Sequence, residues 1–179
     1  MKGKFFRLSI FISLVILLGA ASISVGAVSV FAEQIDSFHS KLEVQKDGTL
    51  HVTETIIYNP EGESHHGIYR DIILKNANGD SVSISDISVV NENDVHYMFS
   101  KSGYGTINLK IGDPNATFSD SKTYVISYTL KNPYSFYKDF DEIYWNVSGD
   151  SWKFQIIQAS AEVILPDGVS VLQSACYFG

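Results

Sequence analysis

Apolar residues recur at every second position through most of this chain, and that spacing constrains its fold more than any other feature. Over residues 122–130, Tyr124, Ile126, Tyr128 and Leu130 share one parity while Thr123, Ser127 and Thr129 hold the other. Over 155–165, Ile157, Ala159, Ala161, Val163 and Leu165 form a second such row. Successive side chains of a strand point to opposite faces, so each row is one face of a strand. Stretches 40–45 and 50–58 flank Lys46-Asp47-Gly48-Thr49, whose Asp-Gly pair suits a tight hairpin. Val82 and Ile84 share a parity that Ile87 and Val89 break, which predicts a bulge near Ser85-Asp86. Shorter strands are expected at 68–74, 95–100, 107–111, 143–147 and 169–172, with turn residues between them. No long stretch has helical period. The expectation is an all-β domain, an antiparallel β-sandwich of roughly nine or ten short strands.

The amino terminus is different in kind. Lys2, Lys4 and Arg7 precede an apolar run over 8–18, and small residues follow up to Val30-Phe31-Ala32. A basic start, an apolar middle and a small-residue exit make residues 1–32 a secretory signal peptide. Residues 8–32 would also span a ~30 Å hydrocarbon core, so an uncleaved N-terminal anchor helix is the alternative. Either way, residues 33–179 are expected outside the cytoplasm as one domain. All 20 acidic residues lie there, against 10 of the 13 basic ones, a formal charge of −10. That balance excludes nucleic acid as a partner and disfavours electrostatic docking on anionic lipid. The lone cysteine, Cys176, is odd for an exported chain, where thiols pair. We expect its partner beyond residue 179, in a protein of which this sequence is a fragment.

Two charges sit on the wrong faces. In 50–58 the even positions read Leu50, Val52, Glu54, Ile56 and Tyr58; in 66–74 they read His66, Ile68, Arg70, Ile72 and Leu74. Arg70 and its neighbour Asp71 point to opposite sides and are not natural partners. An unpaired buried charge is costly, so Arg70 is expected to reach an acid across the core. Glu54 is the first candidate, and Asp141 and Glu142 follow.

The stretch 134–145 holds six aromatics and three acids, with Trp145 a candidate core anchor and Trp152 packing beneath the turn at Gly149. Tyr134, Phe136, Tyr137, Asp139, Asp141 and Glu142 are the candidate binding residues, because exposed rings beside carboxylates suit sugars or peptides. The bland alternative is a loop whose rings cap the sandwich. The histidines (His39, His51, His65, His66 and His96) lack the spacing that aims two rings at one metal. No calcium loop, nucleophile elbow or phosphate-cradling loop is present, so no metal, cofactor or catalytic residue is assigned. Asn115-Ala-Thr117 and Asn146-Val-Ser148 match the glycosylation sequon, a common chance occurrence.

Three stretches, DGTLHVTETIIYN, HGIYRDI and IYWNVSGDSWKFQIIQASAEVILP, resemble the extracytoplasmic amino-terminal region of a family of predicted bacterial membrane proteins, domain of unknown function 2207. The resemblance spans residues 33–179. Its motif positions are Asp47, Gly48, Glu54, Gly67, Arg70, Asp71, Trp145, Asn146, Gly149 and Trp152. It implies transmembrane helices downstream of Gly179, a cysteine-containing segment at Cys176 whose partner lies further on, and no established activity. The expectation is thus a membrane-tethered, non-enzymatic binding or scaffolding module of the cell envelope. Its partners would be the membrane and an envelope protein or glycan. The alternatives are a peptidoglycan- or glycan-binding module built on 134–145, and an envelope hydrolase using two of Asp139, Asp141, Glu142 and Asp150.

Overall fold

The computed structural model describes residues 32–177; the signal or anchor segment assigned to 1–32 lies almost wholly outside them. Eleven strands make up the domain, and no helix occurs among the described residues. The long strands β1 (Gln34–Val44), β2 (Thr49–Asn59), β7 (Lys122–Lys131) and β4 (Ser83–Val90) lie side by side in the first sheet. β10 (Gln155–Ile156) and then β11 (Ala159–Ile164) run along the outer edge of β1. The second sheet has the order β3 (Gly67–Ile73), β6 (Thr106–Gly112), β5 (Phe99–Ser102). A short hairpin, β8 (Tyr134–Phe136) with β9 (Asp141–Ile143), stands apart from both sheets.

The inner faces make one core. Phe38, Val52, Ile56, Ile126 and Leu130 come from the first sheet, and Ile68, Ile72, Leu109 and Ile111 from the second. These are the rows that the two-residue period marks, and burying each such side chain contributes about 1.5–3 kcal/mol. Between β1 and β2, Gly48 takes the left-handed conformation at φ 81°. Asp47 accepts from the Thr49 amide at 3.0 Å and its hydroxyl at 2.7 Å, bonds that hold the carboxyl below its usual range. The bulge falls where parity breaks: the β4–β7 register shifts between Ser85 and Ser88, with Asp86 at φ 55°.

Several expectations need correction. The pairing is not antiparallel throughout, because β10 and β11 run parallel to β1. The row over 155–165 is divided into two strands at 157–158, which stay hydrogen-bonded to Ile35 and Phe38 opposite the irregularity of β1 between Ile35 and Ser37. The strand expected over 95–100 is β5, displaced to Phe99–Ser102, and that expected over 143–147 ends at Ile143. Residues 169–172 form no strand; Val169, Val171 and Leu172 are exposed and pair with nothing described. β11 sets Ala159, Ala161 and Val163 beside Phe38, Ser40 and Leu42, extending the core-facing row of β1. That extension is open to solvent.

Three buried phenols supply a pH dependence. Burial raises the pKa of Tyr58, Tyr124 and Tyr128 above the ordinary 10; Glu33 adds to the effect at Tyr58 and Glu54 at Tyr128. Above pH 10 the unfolded chain releases phenolic protons that the folded chain keeps. Their contribution is therefore full below pH 10 and is lost as pH rises through the folded values. Urea midpoints should hold steady up to about pH 9 and fall by about pH 11.

Candidate functional site

The charged centre of the domain is built from three strands. β3 carries Arg70, β2 carries Glu54 and β7 carries Tyr128, each inward on an apolar row. The acid that meets Arg70 is Glu54, by a bidentate pair: Nε to Oε2 at 2.8 Å and Nη2 to Oε1 at 2.7 Å. Tyr128 donates to the same Oε1 at 2.7 Å. The other donors of the guanidinium go to main chain. Nη2 reaches the Val147 carbonyl at 3.0 Å, and Nη1 reaches those of Ser148 at 2.9 Å and Asp71 at 2.8 Å. A guanidinium has five N–H groups, and all five are engaged. Its Cζ also lies 5.3 Å from the Phe38 ring centroid and 6.0 Å from that of Trp152. Burial is the largest single influence and works against the charge, but Glu54, with Tyr128 and Asp71, offsets it, and the Arg70 pKa is raised above its usual value.

The loop that supplies the carbonyls is held by its own side chains. Asn146 accepts from the Gly149 amide at 3.0 Å through Oδ1 and donates to Asp150 through Nδ2. Trp152 donates to the Ser148 carbonyl at 2.8 Å. Gly149, at φ 77°, lies against Arg70, and a Cβ there would overlap Nη1. Trp145 and Trp152 pack against the core from this loop. Asp71 faces away, and its carboxylate accepts from Asn108 at 2.6 Å. Asp141 and Glu142, the other acids considered for Arg70, sit on the β8–β9 hairpin.

Sequence reasoning missed Tyr128, Asn108 and Ser40. Tyr128 was visible as a polar tip on an inward row, and Ser40 as a small polar residue beside Phe38 and Leu42. Ser40 lies opposite Glu54, fully buried, and its hydroxyl has no partner. An unsatisfied buried hydroxyl is a liability of about 1–3 kcal/mol. Ser40→Ala should therefore stabilise the domain by about 1 kcal/mol, read as a higher urea midpoint at unchanged slope.

Beside Arg70 a recess of about 30 Å³ is lined by Tyr69, Arg70, Asp71, Ser151 and Trp152. That is room for about one water molecule. A second recess of about 90 Å³ includes His66, Tyr97, Phe118 and Lys122, with the ammonium 4.6 Å from the Phe118 ring centroid.

The candidate binding residues of 134–142 gather on the hairpin, not on a loop. Phe136 is 71% exposed, Tyr137 43%, and the nearby Phe140 and Tyr144 about half. Tyr137 and Phe140 stack at 4.7 Å between centroids. Tyr134 is half-buried and donates to the Thr49 carbonyl at 3.2 Å. Asp139 and Asp141 are exposed, and Glu142 accepts from Tyr137 at 3.4 Å. Of the histidines, His39 bonds to Ser160 and His66 to the Ala116 carbonyl. Cys176 is exposed, and the partner expected for it lies outside the described residues.

Fold and centre together define a class: a β-sandwich braced through its core by a charged side chain that the fold itself fully engages. The profile described as "Predicted membrane protein (DUF2207) N-terminal domain" matches residues 34–177. The chain belongs to that family. It is 26% identical over 132 residues to the uncharacterised protein YciQ of Escherichia coli (strain K12), an alignment covering 70% of this chain and 21% of YciQ. The chain thus spans about a fifth of that relative's length. Among solved structures, the native yeast LTA4 hydrolase matches at TM-score 0.40 and 10% identity, over 56% of this chain and 15% of that one. An M1 zinc metallopeptidase from Deinococcus radiodurans matches at TM-score 0.35 and 10% identity, over 59% and 22%. Among the described residues, no helix is long and apolar enough to cross a membrane.

Proposed function

We propose that this domain is a non-enzymatic binding or scaffolding module, held at the cell membrane with the sandwich on its extracytoplasmic side. The contrast between its two charged and aromatic centres carries the reading. Every donor of the buried Arg70 is used by the fold, and the ~30 Å³ beside it is far below the ~300 Å³ of a small-molecule site. The β8–β9 hairpin, by contrast, holds Phe136, Tyr137, Phe140 and Tyr144 out to solvent. The sidedness rests on the signal-like amino terminus, which directs the downstream chain across a membrane. The tether would be that segment if uncleaved, or helices beyond the sandwich.

A glycan-binding form of this reading needs exposed rings, and Phe136 and Tyr137 meet that need. The hydrolase reading draws less support, because Asp150 is bonded to Asn146 and Glu142 to Tyr137. A photo-crosslinking residue at Phe136 or Tyr144 of the full-length protein in cells tests the proposal. We expect a discrete adduct with an envelope protein or glycan from both positions and none from Tyr69, an exposed ring on β3. No adduct from either hairpin position would overturn it.

A further inference from the structure

We propose that the β8–β9 hairpin is a docking face for a cationic segment of a partner protein, a stretch bearing lysine or arginine. This rests on the binding-module reading and names the chemistry of its partner. The register pairs Phe136 with Asp141, and directly opposed residues share a face. An exposed ring and an exposed carboxylate therefore stand side by side. The turn closes with the Tyr137 amide donating to the Phe140 carbonyl at 3.0 Å, which fixes the stacked rings. Asp139 lies within that turn, Asp141 shares the face of Phe136, Glu142 lies opposite Ser135 on the other face, and Lys138 is the one opposing charge there.

The hairpin is pinned before any partner arrives. Asn76 donates to the Tyr134 carbonyl at 3.0 Å, Tyr134 to the Thr49 carbonyl at 3.2 Å, and Tyr137 to Asn78 at 3.2 Å. Such a face loses little freedom on binding.

The charge pattern selects the ligand. The faces of aromatic rings carry negative potential and attract cations, as the exposed carboxylates of Asp139 and Asp141 do. Both features repel phosphate, nucleic acid and anionic lipid. A neutral sugar would gain the stacking and leave the carboxylate charge without a counterpart. A long basic side chain uses both, laying its methylene stem on a ring and its charged head by an acid. The net charge of residues 33–179 steers a cation in the same direction.

The test uses the full chain in detergent and a labelled peptide of four Lys-Gly repeats, with four Gln-Gly repeats and an N-acetylglucosamine tetramer as alternative probes. Binding is followed by fluorescence anisotropy for the peptides and by calorimetry for the sugar. We expect saturable, salt-sensitive binding of the lysine peptide alone. Replacing the acids together (Asp139→Asn, Asp141→Asn, Glu142→Gln) should weaken it about tenfold or more. The ring variant, Phe136→Ser with Phe140→Ser, leaves the charge unchanged and should weaken it to a similar extent. A matched triple at exposed acids toward the opposite end of the sandwich (Glu92→Gln, Asp94→Asn, Asp120→Asn) should not. Equal loss from both acid triples, or full binding by the ring variant, would reduce the effect to bulk charge and overturn the proposal. Binding of the sugar instead, abolished in the ring variant, would overturn the cationic partner and leave the binding module standing. If no probe binds while crosslinks form at Phe136, the partner class is wrong; if crosslinks also fail, the module reading falls with it.

Discussion

Glu54→Ala should destabilise the domain by about 3–5 kcal/mol, a large share of the 5–15 kcal/mol that holds a domain of this size together. The substitution leaves Arg70, 2% exposed, with two donors facing a cavity and no counter-charge. It also strands the Tyr128 hydroxyl, which gives its proton to the same carboxylate. Desolvation already opposes the Arg70 charge, and Glu54 is the first of the influences that offset it. Glu54→Gln keeps the shape and one acceptor and should fall between wild type and Glu54→Ala. Replacing both partners by apolar residues, Glu54→Leu with Arg70→Met, should recover much of the loss, because no lone charge remains. Urea unfolding of wild type, Glu54→Leu, Arg70→Met and the double variant as a double-mutant cycle gives the coupling directly. A Glu54→Ala midpoint equal to wild type would mean that the ion pair does not brace the core.

The second large effect is expected at Gly67, the first residue of β3. Gly67 pairs with Gly112 of β6, and a Cβ on Gly67 would overlap the Ile111 carbonyl oxygen. A Cβ on Gly112 would overlap that of His66. Two main chains cross here where no side chain fits, and atoms of the backbone cannot swing aside as a side-chain tip can. Gly67→Ala should cost about 3 kcal/mol or more, at the upper end of overpacking effects. The damage should reach Arg70, three residues on, since the β3–β6 register aims its side chain. Gly48 provides the contrast: it has positive φ but nothing within 4 Å of an added Cβ. Gly48→Ala should cost only about 1–2 kcal/mol. Thermal unfolding of the two variants separates crowding from backbone conformation, and equal losses would refute the crowding account at Gly67.

Much of the fold was legible because periodicity records burial. The inward rows of β2, β3 and β7 could be read directly, and Glu54 and Arg70 stood out as charges within them. The parallel edge was not legible: alternation is the same for either strand direction, and the choice depends on the path of the chain between 145 and 159. β8 has three residues, too few to show a period. Residues 169–172 have the alternation of a strand but pair with no described neighbour. The candidate site was legible only in part for a similar reason. Ion-pair partners are side chains and leave a mark in the sequence, whereas the carbonyls of Asp71, Val147 and Ser148 belong to the main chain that every residue has.

The Arg70 clamp also has a consequence for the order in which the domain assembles. Its partners are 16 residues away at Glu54 and 77–78 away at Val147 and Ser148. The carboxylate contact closes a short loop, and the carbonyl contacts close a much longer one. Until residues 147–148 arrive, the guanidinium donors that they satisfy have no protein acceptor, and water must serve in their place. The two sheets therefore cannot dry their shared interior around Arg70 before the 146–152 loop is in position. One side chain makes the closing of the core wait for a late part of the chain, which turns a stabilising contact into a checkpoint on completion.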